Sequence, residues 1–358
     1  SMVQYSEYGS PKEVLGHGPA APPPPPADDE VVVEVLAAPV NPADINTIQG
    51  VYPRKPAQLP AVGGNEGVAV VRQVGAKATN RFVPGQWVIP AAPMLGWWRT
   101  EMTVPADALI ALDPLVPDGC PAAEALDLAQ AATLTVNPTS AMRMLADYVD
   151  LDQAGMFVQN GANAGVGRAA IQIAKARGIA SINVVRKRAS PEADAALADE
   201  LYALGASLVV TDEEAADARG MASKLRKVAG NEAEAKPQLG LNCVGGRSSV
   251  SLAKMLAHRG VLVTYGGMSK RPVTLPTGLL IFNDIEARGF WMTRWIESAS
   301  SEAKHAMYAQ LVAWMASREL TVEAQAYPFD TDGLAAALAA LDGPYTPAKP
   351  LFVMPAAL

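Results

Sequence analysis

The sequence predicts an α/β protein of two domains, a β-rich domain and a doubly wound parallel sheet covered by helices. The chain has 358 residues, more than one hydrophobic core usually fills. Residues 1–136 contain short apolar runs separated by proline and glycine, a pattern typical of antiparallel strands. Residues 137–295 alternate between helix and strand patterns, which favours parallel strands with right-handed crossovers. Residues 296–358 are too few to fold alone, and we expect them to complete the first domain.

Three apolar runs define the strands expected in the first domain, at residues 31–36, 67–71 and 86–90. Five consecutive prolines lie within residues 21–30 and are followed by three acidic residues. Proline has no N–H group to donate to a sheet, so this stretch is predicted to be an exposed loop beside edge strands.

The second domain is predicted element by element from its hydrophobic periodicity and its glycine stops. Expected strands are residues 156–160, 181–185, 207–210, 239–243 and 261–265. Expected helices are residues 168–177, 192–204 and 248–258, with a further helix at 302–317 before a tail at 327–358.

A glycine-rich turn, GANAGVG, lies between the first strand of this domain and its helix, at residues 161–167. Glycines let a backbone approach a pyrophosphate, and a helix N-terminus offers unpaired N–H groups to the anion. The spacing is G-x-x-x-G-x-G rather than G-x-G-x-x-G, and a plain tight turn is the alternative interpretation. Strand, turn and helix together favour a dinucleotide site. The residues expected to contact the pyrophosphate are Asn163, Ala164, Gly165 and Val166.

Three cations, Arg186, Lys187 and Arg188, follow the second strand about 20 residues after the turn. A carboxylate at this place would bind the ribose 2′-OH of NADH, whereas cations suit the 2′-phosphate of NADPH. The sequence therefore predicts NADPH, although a solvated basic face is the alternative.

Composition narrows the classes of function. Half of the residues are hydrophobic and 18% are charged, as in globular proteins. A net charge of −7 argues against nucleic-acid binding. No apolar run reaches the roughly 18 residues of a membrane helix. Ser1-Met2 is typical of a cleaved expression tag, so we expect that a natural leader has been removed.

The chain resembles the mitochondrial trans-2-enoyl thioester reductases, within the medium-chain dehydrogenase/reductase superfamily. The resembling blocks are AAPVNPADIN at 37–46, IQGVY at 48–52, LPAVGGNEGVA at 59–69, VNP at 136–138, the glycine turn, INVVR at 182–186, LNCVGG at 241–246, VTYGGM at 263–268 and RGFW at 288–291. Lys187 departs from the family, where an acid is common. The resemblance implies a zinc-free reductase with a GroES-like catalytic domain at 1–136, completed by 296–358, and a Rossmann domain at 137–295.

No metal site is expected. The resemblance places Asn41 and Asn65 where zinc-dependent relatives in the superfamily have a cysteine and a histidine, and an amide is a poor ligand for Zn²⁺. His17, His258 and His305 show no metal-ligand spacing, and the two cysteines, Cys120 and Cys243, lie far apart.

The resemblance implies three catalytic residues: Tyr52, Asn137 and Trp291. Reduction of a conjugated C=C places negative charge on the thioester oxygen and requires a proton at the α-carbon. A phenol holds its proton at neutral pH, so Tyr52 is the expected general acid. Asn137 precedes a proline and is expected either in extended backbone or at a helix N-cap. Ordinary packing is the alternative for Tyr52 and Trp291.

The remaining contacts with NADPH are expected from Asn137, Trp291 and a group of residues at strand ends and in the tail. This group consists of Tyr265, Gly266, Gly267, Met268, Phe290, Met292 and Lys349. Core packing is the alternative for Phe290, and a solvated side chain is the alternative for Lys349.

The resemblance further implies an enoyl-CoA or enoyl acyl carrier protein substrate, a homodimer formed through the nucleotide domains, and a place in the mitochondrial matrix. Two other functions stay open: a zinc-free NADPH quinone or alkenal reductase, and a non-catalytic NADPH-binding partner protein.

Overall fold

The computed structural model describes residues 1–151, 155–230, 236–342 and 348–357. The chain divides into two compact units, called here the first and the second unit. The first unit comprises Ser1–Val136 and Ile296–Leu358, and the second unit comprises Asn137–Trp295.

The strands within the described residues are β1 (Met2–Tyr5), β2 (Gly16–Gly18), β3 (Glu30–Pro39), β4 (Ala61–Val62), β5 (Val68–Val74), β6 (Trp87–Pro90), β7 (Glu101–Pro105), β8 (Leu109–Ala111), β9 (Met156–Asn160), β10 (Ala180–Val185), β11 (Leu208–Thr211), β12 (Leu239–Asn242), β13 (Val261–Thr264), β14 (Arg271–Val273), β15 (Glu286–Gly289), β16 (Ala324–Pro328) and β17 (Lys349–Val353).

The α-helices are α1 (Pro11–Val14), α2 (Pro42–Ile48), α3 (Ala122–Ala125), α4 (Leu128–Ala132), α5 (Asn137–Asp147), α6 (Gly165–Ala176), α7 (Pro191–Leu204), α8 (Asp212–Ala216), α9 (Ala218–Val228), α10 (Gly246–Met255), α11 (Thr277–Asn283), α12 (Met292–Ser298), α13 (Ser301–Ala316) and α14 (Thr331–Ala340). Among these described helices, none is both long and apolar enough to cross a membrane.

Strand β3 organises the seven-stranded sheet of the first unit. The long apolar run of β3 pairs antiparallel with β5, β7 and β17, while β16, β6 and β8 extend the sheet. A small sheet adds β2, β1 and β4. The C-terminal strand β17 thus lies beside an N-terminal strand, with Leu351 opposite Pro39. The proline-rich stretch at 21–26 has no regular structure, as predicted.

Buried aromatic rings fill the core of the first unit. Trp97, Trp98 and Phe352 are all fully buried, and the rings of Trp98 and Phe352 meet edge to face at 5.4 Å. The indole of Trp98 presses on the backbone of the GGNEG block: a Cβ at Gly63 would lie 2.3 Å from the indole. Glycine is needed there because the ring occupies the space of a side chain.

The second unit is a six-stranded parallel sheet in the order β11-β10-β9-β12-β13-β15, as the predicted doubly wound fold requires. Its first strand, β9, lies between β10 and β12, so the strand order reverses at the carboxyl end of β9. In open α/β sheets, ligands bind at this switch point.

Two helix boundaries differ from the predictions, because glycines begin one helix and an extended leucine ends another. Helix α6 begins at Gly165, three residues before the predicted start, because the first turn accepts two glycines. Helix α10 ends at Met255, since Leu256 is already extended (ψ 148°). Helix α7 ends as predicted at Gly205, which is left-handed (φ 108°). Strand β15 was expected only as a late strand ending near Phe290, without bounds, because its exposed side chains give no clear period-2 signal.

Candidate active site

The glycine turn of the second unit joins the buried strand β9 to helix α6. Gly161 is left-handed (φ 60°), and its carbonyl accepts the N–H of Ala164 at 2.9 Å. Ala164 is the N-cap and has no polar side chain to satisfy the helix N–H groups. Arg168 stabilises the turn by donating to the carbonyl of Asn163 at 3.1 Å. The arrangement leaves helix N–H groups for an anion.

Two glycines of α6 have different neighbours. A Cβ at Gly165 would lie 2.3 Å from Nδ2 of Asn137, so the Asn137 amide rests directly on the turn. A Cβ at Gly167 would lie 2.5 Å from the carbonyl oxygen of Ala162, which is backbone and cannot turn aside. Asn137 is the first residue of α5, with Pro138 second. The expectation of an extended residue is therefore wrong, because proline is tolerated in a first helical turn, where no N–H group has an intrahelical acceptor.

Gly167→Ala is expected to lower the free energy of unfolding by about 1–3 kcal/mol, the usual range for overpacking. Gly165→Ala is its matched control, since its methyl group can displace the flexible Asn137 side chain. We expect Gly165→Ala to weaken NADPH binding while stability stays near wild type. Urea unfolding and NADPH titration measure the two effects; equal losses of stability in both variants would contradict this interpretation.

Buried amides beneath the turn fix its position, and sequence reasoning missed them. Gln159 donates to the carbonyl of Gly167 at 3.0 Å and to Oδ1 of Asn183 at 2.8 Å. Asn160 donates to Oδ1 of Asn242 at 2.8 Å, and all four side chains are buried. The available signal was an amide residue inside or at the end of the apolar strands β9, β10 and β12.

The three cations after β10 have different surroundings. Lys187 forms an ion pair with Glu213, which raises the pKa of Lys187. The backbone N–H of Arg188 donates to Asp194 at 2.8 Å. The Arg186 side chain is exposed and has no ion pair or hydrogen bond with the residues that the structure describes. Arg186 is therefore the cation best able to meet a phosphate.

The loop after β13 is held against the end of β12. Tyr265 N–H donates to the carbonyl of Asn242 at 3.0 Å, and Met268 N–H donates to that of Cys243 at 2.9 Å. Burial beside the Cys243 thiol raises the pKa of Tyr265. Gly266 packs on Cys243, since a Cβ at Gly266 would lie 3.2 Å from the Cys243 side chain. The Met268 side chain is 64% exposed. At Gly267, another residue of this predicted group, an added Cβ would have no heavy atom within 4 Å apart from its own chain neighbours.

Aromatic residues follow the edge strand β15. Phe290 N–H donates to the carbonyl of Thr264 at 3.0 Å, and the Phe290 ring lies 6.5 Å from that of Tyr148. Arg294 lies over the half-buried Trp291 ring at 5.9 Å, and Met292 begins α12. The second unit thus brings Asn137 to the glycine turn, and connects the loops after β12, β13 and β15 by hydrogen bonds.

A buried polar cluster in the first unit, called here the carboxylate cluster, comprises Asn41, Asp44, Asn65, Glu66 and Lys349. Asn41 Nδ2 donates to Glu66 Oε1 at 2.7 Å, and Lys349 Nζ donates to Asn41 Oδ1 at 2.6 Å. Asn65 donates to Asp44 Oδ1 through both its side-chain Nδ2 at 2.7 Å and its backbone N–H at 3.0 Å. The two amides are therefore held in one orientation each.

Burial shifts the proton affinities of this cluster. It raises the pKa of Asp44 to about 6 and that of Glu66 to about 7, while Lys349 and the hydrogen bonds act in the opposite direction. Burial lowers the pKa of Lys349, and Glu66 and Asp44 oppose that shift. The tail lysine that sequence analysis assigned to the cofactor thus contacts Asn41.

Tyr52 lies just beyond helix α2, whose N-terminus the carboxylate cluster holds. Asn41 is the N-cap, and its backbone N–H donates to Asp44 at 2.8 Å. At the other end, the N–H groups of Val51 and Tyr52 both donate to the carbonyl of Asn46, at 3.0 and 3.1 Å. The Tyr52 side chain is half-buried. Hydrogen bonds thus connect the buried cluster to the Tyr52 turn through one short helix.

The residues at the superfamily's zinc position do not fit a zinc ion. Asn41 donates its amide N–H to Glu66 and accepts a hydrogen bond from the Lys349 ammonium. A cation therefore already faces this site. Zn²⁺ takes thiolate, imidazole or carboxylate ligands. Within the described residues, no group of three or more His, Cys, Asp or Glu side chains is arranged to hold a metal ion.

Two family models match this chain. The alcohol dehydrogenase GroES-like domain matches residues 27–114, and the zinc-binding dehydrogenase family matches residues 165–317. The second name describes the superfamily; it does not alter the donor set found here.

Curated relatives and solved structures match over most of the chain. Enoyl-[acyl-carrier-protein] reductases, mitochondrial, from Caenorhabditis elegans and Arabidopsis thaliana are 45% and 40% identical, over 89% and 92% of this chain and 85% and 81% of the relatives. The complex of Etr1p with NADP and crotonyl-CoA is 34% identical with a TM-score of 0.83, over 98% of both chains. The Etr1p/Etr2p heterodimer from Candida tropicalis matches with the same identity, TM-score and coverage.

A quinone oxidoreductase from Escherichia coli is 24% identical with a TM-score of 0.78, over 98% of this chain and 99% of that one, which shows the fold alone. The curated relatives that match over most of their length are both named as mitochondrial enoyl-[acyl-carrier-protein] reductases. The chain belongs to the mitochondrial enoyl-[acyl-carrier-protein] reductase family of the medium-chain dehydrogenases/reductases.

Proposed function

We propose that this protein uses NADPH to reduce trans-2-enoyl thioesters of CoA or acyl carrier protein to saturated acyl thioesters, as a step of fatty-acid synthesis in the mitochondrial matrix. The observation that carries the proposal is the pair of sites: an anion-binding glycine turn with Arg186 beyond it, and a tyrosine placed by the carboxylate cluster. Family membership supports the same reaction.

The second unit is proposed as the NADPH-binding domain. Residues 163–166 bind the pyrophosphate at the start of α6, and Arg186 with its neighbours Lys187 and Arg188 binds the 2′-phosphate. The loops that follow β13 and β15, with Asn137, border the nicotinamide. This last set consists of Asn137, Tyr265, Gly266, Gly267, Met268, Phe290, Trp291 and Met292. Bound NADPH supplies the hydride.

The first unit is proposed as the catalytic domain. The Tyr52 hydroxyl donates the proton that the α-carbon of the substrate requires. Trp291 and Asn137 orient substrate and cofactor. The tail lysine, Lys349, donates a hydrogen bond to Asn41. With amides at the zinc position, polar side chains and N–H groups must stabilise the charge on the thioester oxygen.

One assay separates the proposed activity from its alternatives. NADPH oxidation is followed with crotonyl-CoA, with longer enoyl-CoA and enoyl acyl carrier protein, and with quinones and alkenals. We expect turnover of the enoyl thioesters to exceed that of quinones. Faster turnover of quinones or alkenals would favour an NADPH quinone or alkenal reductase. NADPH binding without turnover of any acceptor would favour a non-catalytic NADPH-binding partner protein.

We also propose that the protein forms a homodimer through its second unit. Strand β15 lies at the edge of the six-stranded sheet. Apolar side chains near it are exposed: Leu280 by 44%, Ile281 by 66% and Phe282 by 79%. An exposed edge strand beside an apolar patch is typical of a protein interface.

Phe282→Asp combined with Ile281→Asp is expected to shift the protein from dimer to monomer, because a carboxylate is not tolerated in a dry interface. Sedimentation velocity measures the change. Val83→Asp is the matched control, since Val83 is a 52% exposed apolar residue of the first unit. A monomeric wild type, or a double variant that stays dimeric, contradicts the proposal.

A further inference from the structure

Two carboxylates of the first unit are buried at a place where no zinc-type donor set exists. Asp44 is 1% exposed and Glu66 is not exposed at all. An ionised carboxylate is unstable in a low-dielectric interior unless hydrogen bonds and a cation compensate it. The hydrogen bonds come from Asn41, Asn65 and Thr135, but these are neutral groups.

The ammonium of Lys349 is the cation that faces both carboxylates. Lys349 lies at the start of β17 and reaches Glu66 through Asn41, which accepts from the ammonium and donates to the carboxylate. The charge of Lys349 lowers the pKa of both Glu66 and Asp44, so it acts on each of them directly.

We infer that Lys349 is the internal counter-ion of Glu66 and Asp44, and that its ammonium compensates the charge of these two buried carboxylates. This charge is contributed by strand β17, which is distant in sequence from both carboxylates.

The other groups that face the two carboxylates are neutral hydroxyls: Thr135, which donates to Glu66 at 3.1 Å, and two tyrosines. Tyr308 on α13 faces Glu66, and Tyr5 on β1 faces Asp44; each tyrosine has a raised pKa, caused first by burial. Neither carries charge near neutral pH. The charged groups of the cluster are thus Glu66, Asp44 and Lys349.

The pH dependence of a variant without this charge has a definite sign. In Lys349→Met, the pKa of Glu66 rises further, so the folded variant keeps a proton that the unfolded chain has released. A folded state that holds more protons than the unfolded state loses stability as pH rises. In wild type, the lowered pKa of Lys349 acts in the opposite direction at alkaline pH. The gap between wild type and variant therefore widens above about pH 7.

The test is a double-mutant cycle on the protein without cofactor or substrate, so it does not depend on the proposed reaction. Urea unfolding is measured at pH 6, 7, 8 and 9 for wild type, Lys349→Met, Glu66→Gln and the double variant. We expect the unfolding equilibrium constant of Lys349→Met, relative to wild type, to rise by up to tenfold per pH unit. Glu66→Gln should remove most of this loss and its pH dependence. Lys12→Met, at a lysine 51% exposed and paired with Asp342, is the control.

A loss that is the same at every pH and is not relieved by Glu66→Gln overturns the inference, because packing alone would then explain it. Should Lys349→Met not fold, recovery of folding in the double variant supports the inference, and failure of both variants to fold overturns it.

Resting on the proposed function, Lys349 is also a positioning residue for Tyr52, since the carboxylate cluster caps α2. The kcat for crotonyl-CoA should fall in Lys349→Met and recover at least tenfold in the double variant. Recovery of stability without recovery of kcat overturns the positioning role alone and leaves the counter-ion in place.

Discussion

Tyr52→Phe is expected to lower kcat for enoyl thioesters by about 10²–10⁴-fold, the range for a lost general acid. The zinc position holds amides and an ammonium, so no metal ion is placed to polarise the thioester. Phenylalanine keeps the ring and removes only the hydroxyl, and the turn is held by backbone hydrogen bonds to Asn46. Geometry and NADPH affinity should therefore stay close to wild type.

Steady-state kinetics with crotonyl-CoA and a separate NADPH titration measure the two quantities. Tyr8→Phe is a matched control, because Tyr8 is a 38% exposed tyrosine of the same unit whose ring lies 5.1 Å from Lys55 Nζ. A Tyr52→Phe enzyme with near-normal kcat would remove Tyr52 from the chemistry. A similar loss of kcat in both variants would indicate a general effect on the unit.

Arg186→Ala is expected to raise the Kd for NADPH by roughly 10- to 100-fold. The loss of one charge-assisted hydrogen bond costs about 1.5–3 kcal/mol of binding free energy. About 1.4 kcal/mol corresponds to a factor of ten in Kd. Adding Arg188→Ala should extend the loss. Binding of NADH should change little, because NADH has no 2′-phosphate.

Lys187→Ala is expected to weaken NADPH binding less than Arg186→Ala does, since Glu213 already pairs with Lys187. Fluorescence titration with both cofactors measures the ratio of Kd values. Equal weakening of NADPH and NADH would contradict the assignment of Arg186 to the 2′-phosphate, and a larger effect of Lys187→Ala than of Arg186→Ala would transfer the role to Lys187.

The parallel sheet could be predicted from sequence because most of its strands are mainly apolar and alternate with helix patterns. Strand β9 was predicted to the residue, and Gly205 ended α7 as expected. The signals there are local: a periodicity, a cap and a stop within a few residues. Strand β15 has none of these, because it is exposed and lies between two short helices.

The carboxylate cluster could not be predicted from such signals. Its members lie up to 308 residues apart, with Lys349 bonding Asn41 across that separation. Sequence analysis recognised Lys349 and Asn41 separately, the one as a cofactor contact and the other as a lost metal ligand. Only the pairing of β17 with β3 brings them together, and no periodicity in either strand specifies that pairing.

The position of β17 also determines the order in which a growing chain can finish its two units. The second unit is one continuous stretch, so all of its strands exist once residue 295 has been made. The first unit stays incomplete until residues 349–353 emerge and pair with β3. Until then the edge of β3 at residues 37–39 lacks its partner strand, and the nascent protein exposes an unpaired strand edge, which is a risk for aggregation. The strand that closes the first unit is therefore synthesised after every strand of the second unit.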